Sequence, residues 1–149
     1  MGYTTNRQYQ KSILNAYTIT NQTIATNQTV DFNNTNILNG CSIDFNSGSP
    51  SIYLRKPGVY LVTMDASVAE AGTAGVITMQ LQRNGVNVNG AQASIDSTAA
   101  GDVDSMSFTT IIKVLPSCCS VDNTTTLTVL NTGVEAIYSN ANITAVKLC

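Results

Sequence analysis

Between residues 56 and 85 the side chains change character at almost every step, and this restricts the chain to a sheet with one wet face and one dry face. Lys56, Pro57 and Gly58 open the stretch as a turn, with proline presetting φ and glycine accepting a positive one. Tyr60, Val62, Met64, Ala66 and Val68 then alternate with Val59, Leu61, Thr63, Asp65 and Ser67, which puts the first set on one face of a strand. A run of small residues from 70 to 75 reverses direction. In the next strand Ile77, Met79 and Leu81 point inward against Thr78, Gln80 and Gln82, and Asn84-Gly85 is a hairpin signal. The stretch reads as a half-buried antiparallel meander.

The same period extends in both directions. Upstream, Val30 and Phe32 suggest a short strand, a second is expected from Ile37 through Cys41 and Ile43 to Phe45, and Ile52 and Leu54 suggest a third. Downstream come Val86 and Val88, a small-residue strand over 91–95, and a polar loop over 96–104. Met106, Phe108, Thr110, Ile112 and Val114 line one face of a long strand that Pro116 ends. Leu127 and Val129 point inward from another, Asn131-Thr132-Gly133 turns, residues 134–138 pair briefly, and 143–148 close the chain. About eight to ten short strands without a fixed repeat predict an all-β, antiparallel jelly-roll sandwich. Core or subunit-interface positions are expected at Tyr60, Val62, Met64, Ile77, Met79, Leu81, Phe108, Ile112, Leu127 and Val129.

Residues 1–24 read differently. Tyr9, Ile13 and Tyr17 recur every fourth residue with Leu14 beside them, near Arg7 and Lys11, the spacing of one helix face. A helix so short is marginal alone, and an extended arm is the other reading. Either way the expected organisation is an N-terminal attachment arm over 1–24 and a jelly-roll domain over 25–149, with Tyr9, Ile13, Leu14 and Tyr17 docking on a larger particle.

Composition narrows the chemistry. With 149 residues the chain suits one domain able to bury a core. Its 7 basic and 9 acidic residues form no Lys/Arg cluster, which argues against nucleic acid as a partner. Only 11% of residues are charged, so Thr, Asn, Ser and Gln must supply the polar surface, a composition that suits extracellular or virion β-proteins. No apolar run approaches the roughly 20 residues of a membrane helix, and residues 1–15 lack the layout of a secretory signal. No membrane insertion is expected.

Catalysis is not expected either. The chain has no histidine, so acid–base work would fall to carboxylate pairs or thiolates. Asp102-Val103-Asp104 offers too few oxygens for calcium and reads as a solvated loop. Cys41, Cys118, Cys119 and Cys149 lack metal-type spacing; they read as structural or free thiols, with disulfides within or between chains as the alternative. No cofactor is implied. Asn-x-Ser/Thr triplets begin at Asn21, Asn27, Asn33, Asn123 and Asn142, as expected from so much Asn and Thr.

The order of these motifs is familiar. Residues 52–62, with Pro57-Gly58-Val59-Tyr60 at their centre, then a strand ending at Asn84-Gly85, then 108–114, Leu127-Thr128-Val129 and the closing Val146-Lys147-Leu148, together resemble the tumour-necrosis-factor and complement globular-head superfamily over about residues 25–148. The resemblance implies a ten-stranded jelly roll assembled as a homotrimer. The pattern departs from the family at Val121-Asp122-Asn123 and at residues 140–145, and no collagen-like stalk precedes the head. The function expected is a structural surface protein of a bacteriophage particle, a head decoration or head fibre protein. It would bind capsid or another virion protein through the arm, with a host-surface glycan as a further candidate ligand. The alternatives are a binding head on a bacterial spore or cell surface, and a carbohydrate-binding module.

Overall fold

The computed structural model describes residues 11–98, 101–117 and 124–149. Among them there is no helix. Twelve strands run in chain order: β1 (Ile13–Thr18), β2 (Gln22–Ile24), β3 (Gln28–Thr29), β4 (Asn34–Asn39), β5 (Ile43–Phe45), β6 (Ile52–Leu54), β7 (Gly58–Glu70), β8 (Gly75–Arg83), β9 (Val86–Ser97), β10 (Asp104–Val114), β11 (Thr125–Asn131) and β12 (Ala136–Lys147). They form two six-stranded antiparallel sheets. Sheet A has the order β10-β7-β12-β1-β4, with β2 also on β12; sheet B has the order β5-β6-β11-β8-β9, with β3 also on β11. Non-sequential neighbours in two packed sheets define a jelly-roll sandwich.

The period of two decides what is buried. On β7 the inward set Tyr60, Val62, Met64, Ala66 and Val68 is at most 4% exposed, facing Ile77, Met79 and Leu81 of β8 and Leu127 and Val129 of β11, each fully buried. Phe108 and Ile112 of β10 complete that layer at 6% and 2%. All ten side chains expected at core or interface positions are therefore buried within a single chain. Burial of this kind stabilises a fold by about 25 cal/mol per Å² of apolar surface.

Several local expectations need correction. Residues 56–85 are not a meander: β7 belongs to sheet A and β8 to sheet B, so the turn at 71–74 crosses between sheets. The strand expected over 37–45 is two, β4 in sheet A and β5 in sheet B, broken at Gly40 where φ is +83°. Val30 and Phe32 are buried but lie outside any strand, with the Val30 N–H donating to the Val129 carbonyl at 2.8 Å. The two short segments expected after residue 133 are one strand, β12, with a bulge between Ser139 and Asn142. A period-two count cannot see such a bulge, because the extra residue resets the phase.

The arm is the larger correction. Residues 13–18 form β1 in the middle of sheet A, between β12 and β4, with Leu14 and Ala16 fully buried. The sandwich thus begins well before residue 25. Positions four apart share a strand face as well as a helix face, so the spacing of Ile13 and Tyr17 fits both. Two ready neighbours decide for the strand. Tyr9 lies outside the described residues.

Two turns follow the sequence signals closely. At Asn84-Gly85 both residues have positive φ, +50° and +81°, as the tightest hairpins require. After β11, Asn131 is fully buried; its side-chain amide donates to the carbonyls of Ile24 and Val134 at 2.9 and 2.8 Å while its oxygen accepts from Gly133 N–H. Gly133 lies so close to β8 that a Cβ there would sit 2.2 Å from the Val76 carbonyl oxygen.

Candidate functional site

The outward faces of the two sheets differ in chemistry. On sheet B, Asp44, Tyr53 and Thr126 form one row across β5, β6 and β11, and Thr128 pairs with Gln82. Thr78 and Ser94 share a hydrogen bond at 2.8 Å across β8 and β9, and Arg55 stands 5.3 Å from the Tyr53 ring centroid while paired with Asp44. This surface is mainly polar, and the exposed valines of the same strands, Val76 and Val86, stand apart from one another beside Asp96 and Arg83.

Sheet A is different. Ile111, Leu61, Val146 and Ile13 lie in register across β10, β7, β12 and β1, making an unbroken apolar row. Ile111 is 60% exposed and the other three are half-buried. The next row reads Thr109, Thr63, Thr144, Asn15 and Ile37. Here the Asn15 amide donates to Asn142 Oδ1 at 2.8 Å and Thr144 Oγ1 at 2.9 Å, and receives Asn36 Nδ2 at 2.8 Å. Beyond it, Asp65, Ser67, Ser105, Ser107 and Asn140 line a shallow cleft of about 400 Å³ beside the β12 bulge. The face grades from apolar at one end to polar at the other, and the amide ladder between them holds the strands in place.

Of the residues expected to dock on a particle, Ile13 and Tyr17 lie half-buried on this outward face. Leu14 points into the core and is unavailable to a partner. Asp102, Val103 and Asp104 are exposed. Asn21, Asn27 and Asn33 are exposed too, whereas Asn142 is held by Asn15; Asn123, Cys118 and Cys119 lie outside the described residues. Among the described residues no three His, Cys, Asp or Glu side chains are grouped to hold a metal, and no helix is long and apolar enough to cross a membrane.

A second feature had no local sequence signal. Where β6 passes into β7, residues from four separate segments meet: Cys41 and Cys149, both free thiols, and Lys11, Lys56 and Lys147. Lys56 Nζ donates to Cys41 Sγ at 2.9 Å. That hydrogen bond, and then the ammonium charge, lowers the Cys41 pKa.

No protein-family model matches the chain, and no curated protein matches it. Solved structures do. The globular domain of zebrafish complement 1qA matches with a TM-score of 0.67 at 14% identity, over 93% of this chain and 98% of its own. Murine APRIL at pH 5.0 gives 0.70 at 11% identity, over 93% and 100%. The PRD1 vertex protein P5 gives 0.58 at 18% identity, over 93% and 97%. The chain therefore has the jelly-roll fold of the tumour-necrosis-factor and complement-head proteins. At these identities the likeness speaks for the fold alone.

Proposed function

We propose that this chain is a structural surface protein of a bacteriophage particle, a head decoration or head fibre protein, that assembles as a homotrimer and presents its jelly roll outward. The observation that carries this reading is the fold likeness to the PRD1 vertex protein P5 over 93% of the chain. The trimer rests on a contrast between the two sheets: an apolar row runs in register across four strands of sheet A, whereas the exposed valines of sheet B, Val76 and Val86, pair with Asp96 and Arg83 and form no such row. A ring of three copies closed on the sheet A face would remove Ile111, Leu61, Val146 and Ile13 from solvent, and a stable contact needs about 800 Å² from each partner.

With Leu14 committed to the core and Ile13 in the apolar row, attachment to capsid or another virion protein is assigned to residues 1–11, including Tyr9, and to the outward Tyr17. The reading is non-enzymatic and calls for no cofactor. The test is particle-based: antibody-gold labelling of virions from the source, together with co-sedimentation of the full chain and of a chain lacking residues 1–11 with stripped particles. Labelled particles and loss of binding on truncation support it. Absence of label sinks it. A second reading, a binding head on a spore or cell surface, is favoured by the higher TM-scores of the complement and APRIL structures; label on cells or spores instead of particles selects it. A carbohydrate-binding role would give signal on a glycan array.

A further inference from the structure

The recess between β6, β7 and the end of β12 is built, not incidental. Ser12, 4% exposed, forms its floor: its hydroxyl accepts the Ser42 N–H at 2.9 Å and its carbonyl accepts the Lys147 N–H at 2.9 Å. The Ser42 carbonyl accepts the Arg55 N–H at 2.7 Å, and the buried Tyr60 phenol donates to the Lys56 carbonyl at 2.6 Å. The main chain carrying Cys41, Lys56 and Lys147 is thus tied from below while their side chains reach the surface. The result is an opening of about 290 Å³ that gathers three of the chain's seven cationic residues, Lys11, Lys56 and Lys147, around Cys41 and Cys149. Among the described residues no Asp or Glu side chain lines it, and Asp44 on the adjacent strand is taken up by Arg55.

A nucleophilic thiol beside an ammonium, inside a cationic recess with room for a small molecule, selects for one kind of reagent. We propose that this recess is a thiol-modification site, in which Cys41 attacks an anionic low-molecular-weight disulfide drawn in by Lys11, Lys56 and Lys147 and keeps one half as a mixed disulfide. In the exchange the Cys41 thiolate supplies the electron pair of the new S–S bond. The reagent's own S–S bond breaks, its second half leaves as a thiolate with the old bonding pair, and the Cys41 proton goes to solvent. No other oxidant is required. Lys56 has two roles: it holds Cys41 as thiolate at lower pH than an ordinary cysteine, and with Lys11 and Lys147 it attracts carboxylate-bearing reagents. Cys149, on the same wall, is placed to compete for the bound half, so the adduct is best read where that thiol is absent.

The test uses the full-length Cys149→Ser chain with glutathione disulfide, which is anionic, or cystamine, which is cationic. Intact mass and peptide mapping read the product, and a short peptide carrying the Cys41 sequence normalises the intrinsic reactivity of each reagent. The expected result is one early adduct on Cys41, with a normalised rate for glutathione disulfide about tenfold above that for cystamine. Lys56→Met should slow the reaction at pH 7 by about fivefold and move the midpoint of the pH–rate profile upward, whereas Lys56→Arg, which keeps the charge, should stay within about twofold. Lys11→Met with Lys147→Met should reduce the reagent preference and move the midpoint upward by less than Lys56→Met does, because Lys147 acts on Cys41 only as a more remote charge. Thermal unfolding of each variant confirms that its fold is intact. An adduct appearing first on another cysteine, a midpoint unmoved in Lys56→Met, or cystamine reacting as fast as glutathione disulfide would overturn the proposal.

Discussion

The Tyr60 phenol donates to the main-chain carbonyl of Lys56 at 2.6 Å, so a fully buried side chain in the middle of the core ties down the turn that starts its own strand. The ring and the hydroxyl contribute separately. Tyr60→Phe should lose one hydrogen bond, about 1 kcal/mol, while Tyr60→Ala should cost about 3–5 kcal/mol because the cavity lies between both sheets. Denaturant unfolding of the two variants distinguishes them; equal losses would mean that the ring does not fill the core.

At Tyr138 the opposite is expected. The ring is fully buried and its hydroxyl has no hydrogen-bond partner among the described residues. A buried donor left unmade is costly, and removing it leaves the packing alone. Tyr138→Phe should therefore be as stable as the parent or more stable, by up to about 1 kcal/mol, in urea melts.

The same residue gives a pH dependence. Burial pushes the Tyr138 phenol well above its ordinary value, so the unfolded chain ionises first as pH rises. The stability linked to this group is complete below about pH 10, the ordinary tyrosine value, and is lost above it. Tyr138→Phe should flatten the alkaline fall in melting temperature. An unchanged alkaline limb would show that other groups control it.

Gly133 reports on how closely the turn between β11 and β12 packs on β8. A methyl group there would meet the Val76 carbonyl oxygen at 2.2 Å and the Thr78 nitrogen at 2.6 Å, both main-chain atoms that cannot rotate away. Gly133→Ala should destabilise by about 1–3 kcal/mol, read as a lowered melting temperature.

Much of this fold was legible in the sequence because burial follows a period of two. The inward sets of β7, β8, β10 and β11 could be counted directly, and Asn84-Gly85 carries its turn in its own backbone preference. What could not be read was which strand pairs with which. Nothing in residues 70–75 says that the chain changes sheets there, because a hairpin and a crossover use the same small residues. Ile13 and Tyr17 misled for a related reason: a spacing of four suits either periodicity, and only neighbours on both sides decide between them. The thiol recess was invisible because Lys11, Cys41, Lys56 and Lys147 are joined by folding alone. The apolar row of sheet A was half legible. Leu61 was assigned outward from the alternation, but its alignment with Ile111, Val146 and Ile13 needs the register.

That row supplies the most direct test of the trimer on which the proposed function depends. Ile111 is 60% exposed in the single chain, so Ile111→Glu should leave the protomer's stability within about 0.5 kcal/mol while placing a charge in the subunit contact. Sedimentation equilibrium of both proteins at micromolar concentration is the decisive measurement. The account predicts a parent of three 15.7 kDa chains and an Ile111→Glu variant whose association is weaker by at least about tenfold, with unchanged unfolding of the monomer. A parent that sediments as a monomer, or a variant that remains as firmly trimeric as the parent, would contradict it.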